Sequence, residues 1–305
     1  MGRLPNLLIV GVPKSGTTSL FEYLVQHPEI CGSAVKEPGY FTQFHPLHDP
    51  TQPAASLTWY EEQFSACRGE RYALEATPSY SYGGQPVIDA IRRVLGSPKV
   101  VLSLRNPTER LWSAFVFQRA QGHLPGIDSF DQYLRIVQER HADGSDRSGT
   151  SRLQGLAIGF YGEFVPAWLE AFGDDLRIIY AEDLASRTGD VLEDLYRWLD
   201  LDPLAGEPPD LSRRNVSVQP RSSRLATIAF RAKTVTHLRV APSVVRRPLR
   251  SIYRRLNTRS LSEQLGPDAR RAIDAIYAES NAVTAQALRE HGYVLPHWLD
   301  GNRAG

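Results

Sequence analysis

Cysteine is scarce in this chain, with only Cys31 and Cys67. Two cysteines do not make a disulfide framework, and a metal site would need more ligands. A reducing cytosol is therefore the expected compartment. Lysine is almost as rare: Lys14, Lys36, Lys99 and Lys233, with arginine at every other strongly basic position. Excess charge of either sign is missing too. The formal net charge is +1 over 305 residues, so no global field draws the protein toward nucleic acid or a membrane. No apolar run approaches the roughly 20 residues of a transmembrane helix. The apolar stretch Leu7 to Val12 after Arg3 is too short for a signal peptide or a membrane span. These absences lead us to expect a soluble cytoplasmic protein.

What is present suits a folded domain. Hydrophobic residues make up 42% and charged residues 23%, a balance unlike that of disordered chains. Leu7–Val10 reads as a short buried strand. A Gly/Ser/Thr-rich loop follows, then Leu20, Phe21, Leu24 and Val25 recur at helical spacing. Further strands are expected at 72–75, 99–104 and 176–180. Helices are expected at 86–95, from Asn106-Pro107 onward, and at 161–172, 190–200, 223–238 and 267–290. Strands alternating with helices imply a parallel sheet covered on both faces. The expected fold is one three-layer α/β domain over 1–305, its part from about 223 onward helical.

Gly11-Val12-Pro13-Lys14-Ser15-Gly16-Thr17-Thr18 joins the first strand to the first helix. Glycine lets backbone approach a ligand closely. The free N–H groups at a helix N-terminus face an anion, and the helix dipole favours negative charge there. Lys14 adds a mobile point charge, and Ser15, Thr17 and Thr18 add hydroxyls. The segment is a phosphate loop, but not G-x-x-x-x-G-K-[ST]: here the lysine precedes the second glycine. No apolar strand ends in an aspartate that would hold magnesium, so protein cations are expected to carry the phosphate without metal. A second anion site is expected at Arg105-Asn106-Pro107. A strand delivers Arg105 at its carboxyl end, where α/β sheets bind ligands. Arginine forks onto phosphate, and Ser113 lies two turns along the helix that Asn106 and Pro107 open.

The two motifs together resemble the PAPS-dependent sulfotransferases (PAPS, 3′-phosphoadenosine 5′-phosphosulfate), whose fold is like that of P-loop kinases. The resemblance implies that Pro13 to Thr18 hold the 5′-phosphosulfate. It also implies that Lys14 stabilises the leaving phosphate and that Arg105 and Ser113 hold the 3′-phosphate. In that family a late loop also contacts the nucleotide; here residues 213–224 are the candidates, with Asn215, Arg221 and Arg224. Lys36-Glu37-Pro38-Gly39-Tyr40-Phe41 resembles the heparan-sulfate-type branch, in which this glutamate is the catalytic base. Glutamate suits that role if it lies within hydrogen-bond reach of the acceptor hydroxyl, and a neighbouring lysine keeps it ionised. Glu75, His45 and His48 are rivals for it. Lys36, Tyr40, Phe41 and Tyr80 are expected on the acceptor side. Glu75-Ala76-Thr77-Pro78 resembles the branch's next motif, where a lysine commonly stands in place of Ala76; its loss suggests a less anionic acceptor.

The expected activity is sulfuryl transfer from PAPS to a hydroxyl or amine of a glycan, glycolipid or secondary metabolite, releasing PAP (the desulfated nucleotide). The alternatives are a magnesium-dependent kinase and a non-catalytic PAP-binding protein. The arginine-rich stretch 239–259 could dock an acidic glycan, touch a membrane surface weakly or be a solvated helix face. Oligomeric state is left open by the sequence.

Overall fold

A computed structural model describes residues 2–46, 54–147, 153–206, 209–211 and 265–300, and the backbone of strands 218–220 and 258–260. The sheet is five-stranded and wholly parallel. Its strands are β1 (Leu7–Gly11), β2 (Ile30–Gly32), β3 (Tyr72–Ala76), β4 (Lys99–Leu104) and β5 (Leu176–Tyr180). They lie in the order β2-β3-β1-β4-β5. β1 and β4 are adjacent inner strands, so the loops leaving their carboxyl ends meet.

Side chains alternate along each strand, and both faces are covered. Leu8, Val10, Val100 and Leu102 point into one apolar layer. It is closed by α3 (Gly84–Leu95), α6 (Val165–Phe172) and the long helix here called α9 (Pro267–Glu290). Leu7, Ile9, Leu74 and Val101 point into the other, closed by α1 (Thr17–Leu24) and α8 (Thr188–Trp198). This alternation, apolar at most positions on both faces, is what a doubly covered parallel sheet requires. A third cluster joins α4 (Pro107–Ala120), α5 (Phe130–Ala142) and α9 through Leu111, Phe115, Tyr133 and Tyr277. Among the described residues, the other α-helices are α2 (Leu57–Glu62) and α7 (Ala181–Ser186).

The expected strands and the three-layer arrangement are present. β2 is an addition: three residues at an edge are too few to show a period of two. Helices α2, α5 and α7 were also not foreseen. The expected helix at 161–172 begins as a 3-10 turn, Tyr161–Glu163, before α6. The expected helix 223–238 lies outside the described residues. No helix among those described is long and apolar enough to cross a membrane.

Cys31 and Cys67 form a disulfide with their Cα atoms 5.6 Å apart. Two cysteines do not make a framework, yet they pair here. The fold brings β2 beside the turn after α2, a proximity that sequence spacing does not encode. The bridge closes a loop containing Lys36, Glu37, Tyr40 and Phe41.

Candidate active site

The turn after β1 is tightly built. Val12 N–H donates to the Ser103 carbonyl at 2.6 Å, and Ser103 Oγ donates to the Ser15 carbonyl at 2.6 Å. A Cβ on Gly11 would come within 2.3 Å of Ser81 Cβ, so only glycine allows this approach. Lys14 has φ +75° and Gly16 φ +82°. A lysine in the left-handed region costs roughly 1–2 kcal/mol, and such strain persists only where the surroundings fix it. Here Arg105 Nη1 donates to the Lys14 carbonyl at 3.1 Å. Gly16 gives α1 no side-chain cap, so the first amides of the helix stay free for an anion.

Ser15 is a correction to the expected donor set. It is fully buried and its hydroxyl donates to the Val12 carbonyl, so it braces the loop. Thr17 is nearly buried, while Pro13, Lys14 and Thr18 are half-buried and Gly16 is exposed.

Arg105 follows β4 directly. Asn106 caps α4 as expected: its Oδ1 accepts from the N–H of Thr108 at 3.0 Å and of Glu109 at 3.1 Å, with Pro107 at the first helical position. Tyr161 OH donates to the Arg105 carbonyl at 2.8 Å. The Arg105 guanidinium lies 3.9 Å from Glu109, a loose pairing that leaves donors free. Ser113 sits on α4, nearly buried.

The Lys14 ammonium is 3.9 Å from the centroid of the Phe117 ring. Its pKa falls to about 8, first through burial and then through Arg105, while Glu37 pulls it upward. Lys14, Arg105 and Glu37, from three loops, therefore share one electrostatic environment.

The Glu37 segment is pinned to the end of β3. Ala76 N–H donates to the Lys36 carbonyl at 3.2 Å, Gly39 N–H to Thr77 Oγ1 at 3.2 Å, and Phe41 N–H to Tyr80 OH at 3.1 Å. Lys36 Nζ pairs with Glu37 Oε1 at 2.7 Å, and the Glu37 side chain is 56% exposed. Tyr40, Phe41 and Tyr80 were expected to meet the acceptor. Phe41 and Tyr80 have no exposed surface and Tyr40 very little. With Tyr60, stacked on Tyr40 at 4.4 Å, they form the wall beneath the loop. The aromatic run after Glu-Pro is a packing signal.

The rivals for the base separate by environment. Glu75 is fully buried, and neither carboxyl oxygen makes a hydrogen bond of normal geometry. Burial lifts its pKa to about 8, against a smaller downward pull from the nearby Tyr60 and Tyr80 hydroxyls. It thus keeps its proton at neutral pH and cannot take another. His45 is buried edge-on against Tyr82. His48, Asn215, Arg221, Arg224 and most of 239–259 lie outside the described residues. Strand β6 (Val218–Pro220) pairs antiparallel with β7 (Thr258–Ser260) and runs beside α4.

Sequence reasoning missed Phe117, although Ser113 and Phe117 are four residues apart and so share a helix face. It also missed the Arg105–Lys14 contact, which depends on β1 and β4 being neighbours. Cys31, Cys67 and Glu70 place ligand atoms within 4.8 Å of one another, but sulfurs joined in a disulfide offer no thiolate.

Comparison with known proteins places the chain among relatives. The chain is 24% identical over 310 residues to a bifunctional heparan sulfate N-deacetylase/N-sulfotransferase 1 of Caenorhabditis briggsae, covering 97% of this chain and 31% of that protein. It is 31% identical over 173 residues to heparan sulfate glucosamine 3-O-sulfotransferase 6 of Mus musculus, covering 56% of this chain and 44% of that one. The chain thus spans less than half the length of these relatives. A solved sulfotransferase from Alicyclobacillus acidocaldarius shares its fold, with TM-score 0.70, 21% identity and coverage of 97% of this chain and 99% of that one. Mouse sulfotransferase SULT7A1, solved with PAP, shares it more distantly, with TM-score 0.52, 16% identity and coverage of 95% and 89%. The sulfotransferase domain profile matches residues 4–280. With the loop after β1, the arginine after β4 and the sheet order in place, the chain belongs to the sulfotransferase domain family.

Proposed function

We propose that the domain transfers a sulfuryl group from PAPS to a hydroxyl or amine of an acceptor and releases PAP. The observation that carries this reading is the contact of Arg105 with the Lys14 carbonyl. It couples two cationic sites, one for each end of a nucleotide phosphorylated at both 3′ and 5′ positions. The residues fit that ligand. The α1 amides and Thr18 suit the 5′ side, and Arg105 with Ser113 suits the 3′ phosphate. PAPS supplies the sulfuryl group, and the chain's own residues do the rest. Glu37 accepts the acceptor's proton as the new bond to sulfur forms. Lys14 and the loop amides neutralise charge on the 5′-phosphate as its bond to sulfur breaks. Positioning and electrostatics supply most of the rate in such transfers.

The acceptor is a glycan, glycolipid or secondary metabolite. Ala76, where related sequences commonly carry lysine, favours a less anionic one. Calorimetry with PAP and with ATP, each with and without magnesium, tests the site. Tight magnesium-independent binding of PAP over ATP is expected, and preference for magnesium-ATP would replace this reading with a kinase. Transfer of labelled sulfate from PAPS into cell-extract components separates an enzyme from a PAP sensor.

A further inference from the structure

Phe117 is 43% exposed, whereas Leu111 and Phe115 on the same helix are fully buried. A single exposed apolar side chain is ordinary, so exposure alone says nothing. The second observation is the Lys14 ammonium, 3.9 Å from the ring centroid. That lysine is already fixed at its backbone, with φ +75° and its carbonyl held by Arg105. We infer that Phe117 is a positioning residue, whose ring face holds the Lys14 side chain over the phosphate loop.

Among the described residues, the charged groups facing this ammonium are Arg105 from the end of β4, which repels it, and Glu37 from the loop after β2, which attracts it. Glu37 is engaged by Lys36 at 2.7 Å. Were Lys14 to swing onto Glu37, the base and the charge-neutralising group would cancel. An aromatic face attracts the cation without neutralising it, so the charge stays available to an incoming phosphate. The attraction is weak, a roughly two- to five-fold preference, and a phosphate can outcompete it. What the ammonium then does rests on the sulfuryl-transfer reading; the contact itself does not.

The scarcity of lysine makes the test direct. Lysine labelled with carbon-13 at the ε position gives four signals in the whole chain, and Lys14→Met identifies the one that matters. Its ε protons should be displaced upfield by the ring and should titrate near 8. Phe117→Leu keeps the apolar bulk but removes the π face. The upfield displacement should vanish, and the midpoint should fall by about half a pH unit, because the ring favours the charged form. Phe117→Trp should restore both. An undisplaced Lys14 signal in the wild type, or an unchanged or raised midpoint in the leucine variant, overturns the assignment. Calorimetry with PAP keeps the two ideas apart. Failure of the wild type to bind PAP would sink the sulfuryl-transfer reading while leaving the lysine signal to judge Phe117. In the leucine variant, PAP affinity within about two-fold of wild type would show that the 3′ clamp is intact.

Discussion

Replacing Arg105 with methionine separates a phosphate ligand from a brace. The side chain is 30% exposed, half sheltered between the phosphate loop and α4. A charge-assisted hydrogen bond contributes roughly 1.5–3 kcal/mol, so losing its grip on a 3′-phosphate should weaken PAP binding about 10- to 150-fold. The substitution also removes the 3.1 Å bond to the Lys14 carbonyl. A neutral-acceptor bond contributes about 1 kcal/mol, a several-fold loosening felt by any 5′-phosphate ligand. Calorimetry with PAP and with AMP, which lacks the 3′-phosphate, resolves the two effects. PAP should lose the full factor and AMP only the smaller one. Arg105→Lys should fall between, since lysine keeps charge but not the fork. Arg105 also lowers the Lys14 pKa, so its removal should raise that midpoint above about 8. Equal losses for PAP and AMP would make Arg105 a brace alone, and no loss for either would put the nucleotide elsewhere.

The chemistry itself should fail without binding failing. Lys14→Ala should lower sulfuryl transfer roughly 10²–10³-fold and Glu37→Gln roughly 10²–10⁴-fold, with PAP affinity in the Glu37 variant near wild type; unchanged turnover in either removes that residue from the mechanism. Reducing the Cys31–Cys67 bridge, or Cys31→Ser, should destabilise the fold by about 4 kcal/mol on a chain-entropy estimate for a separation of 36 residues, and urea midpoints that ignore reductant would refute this. Glu75 binds a proton in the folded state up to about 8 but releases it near 4.5 when unfolded. Stability should therefore fall as pH rises through that window, by up to ~1.4 kcal/mol per unit. Glu75→Gln, compared with wild type in urea at pH 5 and pH 8, should flatten the slope, and an unaltered slope would contradict a buried neutral acid.

Local chemistry was legible in the sequence, and proximity was not. The strand before Gly11, the cap at Asn106 and the helix start at Pro107 follow from rules acting over a few residues, and each is where expected. The sheet order β2-β3-β1-β4-β5 has no such local code. With it went the Arg105–Lys14 contact, the disulfide and the burial of Tyr40, Phe41 and Tyr80. Those aromatics show why a motif can be assigned to the right place and the wrong task. A carboxylate base must be held still on a loop, and loops lack the regular hydrogen bonds that hold strands and helices. Here Tyr60 stacks on Tyr40, Tyr80 accepts from the Phe41 amide, and the Cys31–Cys67 bridge closes the loop behind them. A loop braced in this way holds Glu37 exposed above a wall of buried aromatic rings. The aromatic cluster, with Phe41, Tyr60 and Tyr80 fully buried and Tyr40 nearly so, leaves Glu37 as the exposed side chain of this segment.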